Sequence, residues 1–289
     1  MRRPLSVAPR TDLLAAADIP AAFALSTAEG WNQLPADWAR LVRLEPAGCF
    51  AARDGDRLAG TVTTISYGGA LAWIGMMVVH PDLRGRGIGA ALMRQAIGYA
   101  RGLGIATIKL DATPMGRPLY ESLGFVVESE LERWQGTASP ADGRDQPELA
   151  RPEELEPLYA LDRAAYGADR SRLLASLAAD AAGGPLAAAR DGAAPDGYAL
   201  LRPGRTASYI GPIVATGAGT GLRLLDGMLA RAAGTPVCLD RNLNGHLDAA
   251  SLAERGLAVR RGLARMRLGP PVTGSAPASI CAIAGPAFG

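Results

Sequence analysis

The sequence predicts an α/β (α+β) protein made of two successive units of like pattern, and three observations carry that prediction. Helices, a hairpin, a strand, a helix and a further strand alternate over the first part of the chain. A polar, proline-bearing stretch, "TASPADGRDQPELA" at 137–150, then breaks the pattern as a linker. Beyond it, three segments repeat earlier ones in the same order. "SYIGPIVA" (208–215) echoes "AWIGMMVV" (72–79), "PVCLDRNLNG" (236–245) echoes "TIKLDATPMG" (107–116), and "LAERGL" (252–257) echoes "YESLGF" (120–125). A chain of 289 residues is long for one core and comfortable for two. The units expected are therefore 1–136 and 151–289.

The elements follow in order. Residues 19–29 and 35–44 form two short helices around the loop "EGWNQLP". "GCFAARDGDRLAGTVTTISYGG" places the Asp54-Gly55 turn between two β-type runs, a hairpin signature. "LAWIGMMVV" is apolar enough for a strand buried on both faces. After "HPDLRGRG" a helix runs from about 87 to 103, with Leu92, Ala96 and Tyr99 on one face and Gly102 and Gly104 at its end. "ATIKLDAT" is the next strand, "RPLYESLGF" a short helix stopped by Gly124, and "FVVESELERWQG" supplies one or two closing strands.

Composition excludes several classes. A net charge of +2 exerts no global pull toward nucleic acid. No apolar run reaches the roughly 18 residues of a membrane span. Asp12, Asp18 and Pro20 interrupt any export signal after Arg2-Arg3, so the expected location is cytoplasmic. Cys49, Cys238 and Cys281 are scattered and odd in number, which suits reduced core thiols. Two histidines and no clustered cysteines argue against a metal. Lys109 is the only lysine, so any single arginine in this chain carries little information.

The stretch "RGRGIGAALM" (84–93) carries the chemistry. Glycines at a helix start let unpaired amides approach an anion, and the helix dipole adds a favourable field. A Walker loop needs a Gly-Lys pair, and none exists. Gly85, Gly87 and Ala90 satisfy the dinucleotide spacing, with Asp111 where a ribose-binding acid would sit. However, "HPDLR" separates the turn from its strand, the unit begins with helices and a hairpin, and no run of βα units follows. The third pattern, [RQ]-x-x-G-x-[GA], is met register by register by Arg84, Gly87 and Gly89.

With "MMVVHPDLRGRGIGAALM" before it and "LYESLGF" after it, that third pattern resembles the GCN5-related N-acetyltransferase (GNAT) superfamily over roughly residues 5–136. The resemblance implies a mixed, mostly antiparallel sheet flanked by helices, with a splayed central strand pair, and acetyl-CoA as cosubstrate. The backbone of Met77, Val78 and Val79 would bond the pantetheine arm. The amides of Arg84, Gly85, Arg86, Gly87, Ile88, Gly89 and Ala90 would wrap the pyrophosphate. Tyr120 stands where the family often places the acid that protonates the leaving thiolate. Thr113 replaces a frequent Asn and still offers a hydroxyl to the pantetheine, and Gly116 replaces a frequent Ala.

The general base is the open role. An alkyl ammonium near pKa 10.4 is neutral in only about one molecule per thousand at pH 7.4, a deficit of about 4 kcal/mol. Asp111, Glu29 and His80 are candidates, with Asp111 nearest the expected acetyl position and equally suited to orienting a loop. On the acceptor side, "AEGWNQLPADW" offers Glu29, Trp31, Asn32 and Asp37, acids beside aromatic rings that suit a cationic amine. Trp38 reads equally as core.

Residues 151–289 resemble the C-terminal domain of bacterial tandem acetyltransferases, a degenerate second copy. "ATGAGTG" keeps Gly219 and Gly221, but Thr216 stands in place of Arg or Gln and no tyrosine matches Tyr120. That unit is expected to be non-catalytic, with Tyr198, Tyr209, Asp240, Asn242 and Asn244 as possible acceptor contacts and the tail "SICAIAGPAFG" tucked in. The function expected is acetyl transfer from acetyl-CoA to the primary amine of a small molecule, by a monomer or homodimer without nucleic-acid or membrane partners. A non-catalytic acyl-CoA sensor and a protein or peptide amine acetyltransferase remain the alternatives.

Overall fold

The computed structural model describes residues 10–139, 147–151, 154–179, 187–190 and 195–289; half of the expected linker, 140–146, lies outside them. The first part runs β1 (Arg10–Leu13), α1 (Ile19–Ala28), α2 (Pro35–Leu44), β2 (Cys49–Asp54), β3 (Arg57–Tyr67), β4 (Leu71–Val79), α3 (Ile88–Gly102), β5 (Thr107–Ala112), α4 (Arg117–Ser122) and β6 (Val126–Thr137). Local chemistry sets these boundaries. Gly55 takes φ +61° in the hairpin turn, a conformation open to glycine without strain. Pro35 opens α2, whose N-terminus is closed by the Asp37 carboxylate accepting the Leu34 amide at 2.9 Å. Ile88, Leu92, Met93, Ala96 and Ala100 form the buried face of α3.

The second part repeats the plan as β7 (Glu148–Leu149), α5 (Leu155–Tyr166), α6 (Ser171–Ala179), β8 (Ala187–Arg190), β9 (Pro195–Arg202), β10 (Ser208–Ala215), α7 (Ala218–Arg231), β11 (Pro236–Asn242), α8 (Ala249–Glu254), β12 (Ala258–Leu268) and β13 (Ile280–Ala282). All of these strands join one 13-stranded sheet in the order β1-β2-β3-β4-β5-β12-β6-β11-β13-β10-β9-β8-β7. Only β4–β5 and β10–β11 run parallel among the described pairs.

The sheet is continuous because the two parts exchange strands. β6, which follows α4, pairs not with β5 but with β11, from Leu131↔Asn242 to Thr137↔Pro236. In return β12, which follows α8, pairs with β5, from Ala264↔Ala112 to Leu268↔Ile108. The two exchanged strands also pair with each other at the centre. Each half thus closes its sheet with a strand from the other, and the second half supplies side chains to the first.

Both halves carry a splay. β4 pairs with β5 only over Leu71–Trp73, after which the strands part. Opposite Val62, β4 carries an extra residue, with Met76 at φ +49° and its carbonyl held by the Thr61 hydroxyl at 2.8 Å. β10 and β11 likewise pair only over Ser208–Tyr209. There the gap is filled: β13 pairs with β10 on one side and with β11 on the other.

Candidate active site

The first splay stays open and continues into a groove of about 360 Å³. Its floor is Met77, Val78 and Val79, its wall is the start of α3, and Thr113, Met115, Gly116, Leu119 and Tyr120 close the far side. Gly85 and Gly87 take φ +72° and +81°, so the loop needs glycine there for its backbone conformation. A Cβ built on Gly87 meets nothing within 4 Å and would project into open space. One on Gly89 would fall 2.8 Å from Met77 Cε and 3.2 Å from Leu119 Cδ2, so glycine keeps the cleft open at that point. The first-turn amides of α3 have no acceptor within their own helix. The groove therefore fits a pantetheine arm along β4 and a pyrophosphate at the helix start.

Arginine side chains play a smaller part in that cradle. Arg84 Nε donates to the Val79 carbonyl at 3.0 Å, and its guanidinium pairs with Glu29 across the groove. Arg86 donates to the Asp82 carbonyl at 2.9 Å. The anion-binding capacity rests on backbone.

A second cavity, of about 80 Å³, lies beyond the groove and shares Trp31, Met77, Thr113 and Tyr120 with it. Its other walls include Gln33, Gly75, Asp111, Arg261, Pro286 and Ala287. A Cβ on Gly75 would lie 2.7 Å from the Ala287 carbonyl oxygen, so glycine lets the tail lie flat on β4. The tail is held by Trp73 Nε1 donating to the Pro286 carbonyl at 3.0 Å and by the Tyr67 hydroxyl donating to that of Phe288 at 2.6 Å. Tyr120 is buried, and burial pushes its phenol up to about 12. The Thr113 hydroxyl accepts the Gly116 amide at 3.2 Å and so helps to start α4.

The remaining expected residues have different surroundings. Asp111 is held in a fork by Arg265 of β12, with Nε at 2.9 Å and Nη2 at 3.0 Å from its two oxygens. Its side chain has no exposed surface, burial raises its pKa, and Arg265 opposes that rise. The expected base is thus the enclosed counter-ion of an arginine, and its carboxylate does not open onto the cavity. Glu29 and Trp31 do line the groove.

Asn32 and Asp37 belong to the contact between halves. The Asn32 side chain donates to the Ala207 carbonyl at 2.8 Å and accepts from Thr206 and Ala207 amides. Asp37 binds Arg40 at 2.8 Å and lies 3.7 Å from Arg202. His80 faces Arg57 and Asp82 at the surface, and Trp38 is wholly buried. Among the second-half residues, Tyr198 is bound to Asp162 and Asp240 to Arg133, both pairs buried.

Gln33, Arg261 and Arg265 were missed in the sequence. Gln33 and Arg261 line the cavity, and Arg265 holds Asp111 behind it, only because α2 starts where it does and because β12 crosses between the halves. Among the described residues no helix is long and apolar enough to cross a membrane, and no three His, Cys, Asp or Glu side chains cluster to hold a metal.

Comparison with known proteins agrees with this geometry. Residues 16–125 match the Acetyltransferase (GNAT) family, and residues 158–277 match a second Acetyltransferase (GNAT) domain family. The uncharacterized N-acetyltransferase YitH of Bacillus subtilis is 28% identical over 175 residues, 60% of this chain and 61% of that one. Mycothiol acetyltransferase of Propionibacterium freudenreichii is 29% identical over 147 residues, 47% of this chain and 44% of its own length. The chain thus spans less than two thirds of these relatives. A crystal structure from Pyrococcus horikoshii superposes with TM-score 0.80 at 22% identity, covering 97% of this chain and 96% of that one. The GCN5-related N-acetyltransferase from Sphaerobacter thermophilus superposes with TM-score 0.65 at 17% identity, covering 92% and 98%.

Proposed function

The chain belongs to the GNAT family of acetyltransferases as a tandem pair of its domains, and we propose that it moves an acetyl group from acetyl-CoA to the primary amine of a small molecule. One observation carries this reading: the groove and the inner cavity meet at Trp31, Met77, Thr113 and Tyr120. A donor lying in the groove brings its thioester to that junction, and an acceptor in the cavity reaches it from the opposite side. Residues 1–136 carry the reaction. Residues 151–289 supply cavity walls through β12 and the tail. A cavity of about 80 Å³, walled by Pro286 and Ala287, favours a small acceptor over a protein or peptide.

In transfer, the amine nitrogen bonds the acetyl carbon, the carbon–sulfur bond breaks, and the nitrogen's surplus proton goes to water. The α3 amides hold the pyrophosphate, and the edge of β4 at Met77–Val79 aligns the arm. Tyr120 donates a hydrogen bond to the departing sulfur. Burial raises its phenol to about 12, so it stays protonated over the working pH range. The tyrosine therefore stabilises the thiolate while keeping its proton, a contribution of the oxyanion-hole kind. Tyr120→Phe should lower kcat by roughly 10²-fold with coenzyme A affinity near wild type, and unchanged turnover removes Tyr120 from the reaction. Thiol release from acetyl-CoA across an amine panel tests the whole reading. Tight coenzyme binding without turnover on any amine would favour a sensor.

A further inference from the structure

Two residues that line the inner cavity each carry a polar atom with nothing to bond. Gln33 Oε1 and Arg261 Nε are closed off from solvent, and neither has a hydrogen-bond partner among the described residues. Both side chains line the cavity that also holds Tyr120. Guanidinium stays charged throughout the accessible pH range, and a buried charged donor left unmade is more costly than a neutral one.

The protein does not supply the missing anion. Asp111 is taken by Arg265, Asp240 by Arg133, and Asp37 by Arg40. Arg261 stands directly across the strand pair from Arg133, a like charge. Burial, with Arg133 next, holds the Arg261 pKa below its usual value, with Asp240 opposing. A cationic ligand group would meet repulsion at this wall, whereas a carboxylate would complete it.

Resting on acetyl transfer at this site, we propose that the acceptor is a small amino carboxylic acid whose carboxylate is bound by the Arg261 guanidinium. The cavity is small, about 80 Å³, which favours a compact acceptor such as an amino acid with little side chain. Arg261 thereby sets specificity, while Tyr120 and the groove serve the transfer itself.

The test compares matched pairs differing only in the carboxylate, glycine against methylamine and β-alanine against ethylamine. Two readouts are used on the full chain: calorimetric binding with coenzyme A present, and thiol release with acetyl-CoA. The wild type should bind and acetylate the carboxylates in preference. Arg261→Ala should collapse that preference by roughly 10- to 100-fold, the range expected for a hydrogen-bonded charge pair, and Arg261→Lys should recover part of it. Thermal unfolding checks that both variants fold. Transfer to methylamine and ethylamine with no preference for the carboxylates overturns this inference and leaves acetyl transfer standing. Carboxylate binding that depends on Arg261 without any transfer supports the anion site and removes the transfer reading. Wild-type indifference to the carboxylate in both readouts, or preference surviving in Arg261→Ala, overturns the proposal.

Discussion

Asp111→Asn separates a catalytic carboxylate from a structural one. The wild-type Asp111 side chain has no exposed surface, and the Arg265 side chain is 9% exposed. The two form a fork, and the same guanidinium lies 4.7 Å from the centre of the Trp73 ring. Asparagine keeps the shape and removes the charge, leaving Arg265 buried and unable to shed its proton. Breaking a buried pair by removing one partner costs roughly 3–5 kcal/mol. For chains of this order, each kcal/mol moves Tm by roughly 2–4 °C, so a fall of roughly 6–20 °C is expected in scanning calorimetry. Because the carboxylate does not open onto the cavity, kcat measured well below the new Tm should fall by less than about tenfold, whereas loss of a general base typically costs roughly 10²–10⁴. The double variant Asp111→Asn/Arg265→Gln leaves no charge stranded and should recover part of the lost Tm. A thousandfold fall in kcat at unchanged Tm would refute this reasoning and make Asp111 the base.

Four further outcomes are expected from the geometry. Gly87→Ala forces an L-residue to φ +81°, roughly 1–2 kcal/mol of strain in the loop at the groove wall; coenzyme A affinity measured by calorimetry should fall at least tenfold. Among the described cavity-lining residues no carboxylate or imidazole stands open to the amine, so log(kcat/KM) should rise with unit slope up to the acceptor amine's own pKa. Tyr120 should add no descending limb below about pH 11, because a donor whose pKa is raised to about 12 is fully protonated below that range and lost only above it; a limb near pH 9 that vanishes in Tyr120→Phe contradicts this. Burial raises the thiols of Cys49 to about 12 and of Cys238 and Cys281 to about 11, so the native chain should show no reaction with dithionitrobenzoate at pH 8, and all 3 cysteines should react in guanidinium.

What was legible in the sequence was local. The spacing of Arg84, Gly87 and Gly89 marks a local turn, within which Gly85 and Gly87 take positive φ. Tyr120 was legible for the same reason, as a residue at a fixed offset within a short helix. Asp111 and Asn32 were the right residue types at the right end of the fold, yet each is claimed by a partner elsewhere, while Asp37 is taken up locally by the Leu34 amide and Arg40. Arg265 lies 154 residues from Asp111, and Ala207 lies 175 from Asn32. No local pattern announces a register over such distances. Arginine abundance hid Arg261 as well, since nothing in the sequence sets it apart from its neighbours until β12 is placed beside β6.

The two splays explain why one fold repeated twice gives one groove. In the first half, the eight-residue run "HPDLRGRG" separates β4 from α3 and leaves room for an anion at the helix start. In the second, Thr216-Gly217 alone joins β10 to α7, so no such loop exists. There β13 takes the gap, its Ala282 pairing with Ile213 and Arg241, and Cys281 lies against Gly221, where the built Cβ would sit 3.2 Å from its sulfur. A peptide strand thus fills the slot that a pantetheine arm fits in the first half. That strand also anchors the tail beyond it. Ile283 donates to the Asp240 carbonyl at 3.1 Å, and from this fixed point Pro286, Ala287 and Phe288 are delivered onto β4. The second half thus has its splay filled and supplies walls to the inner cavity of the first, through the tail on one side and Arg261 on another.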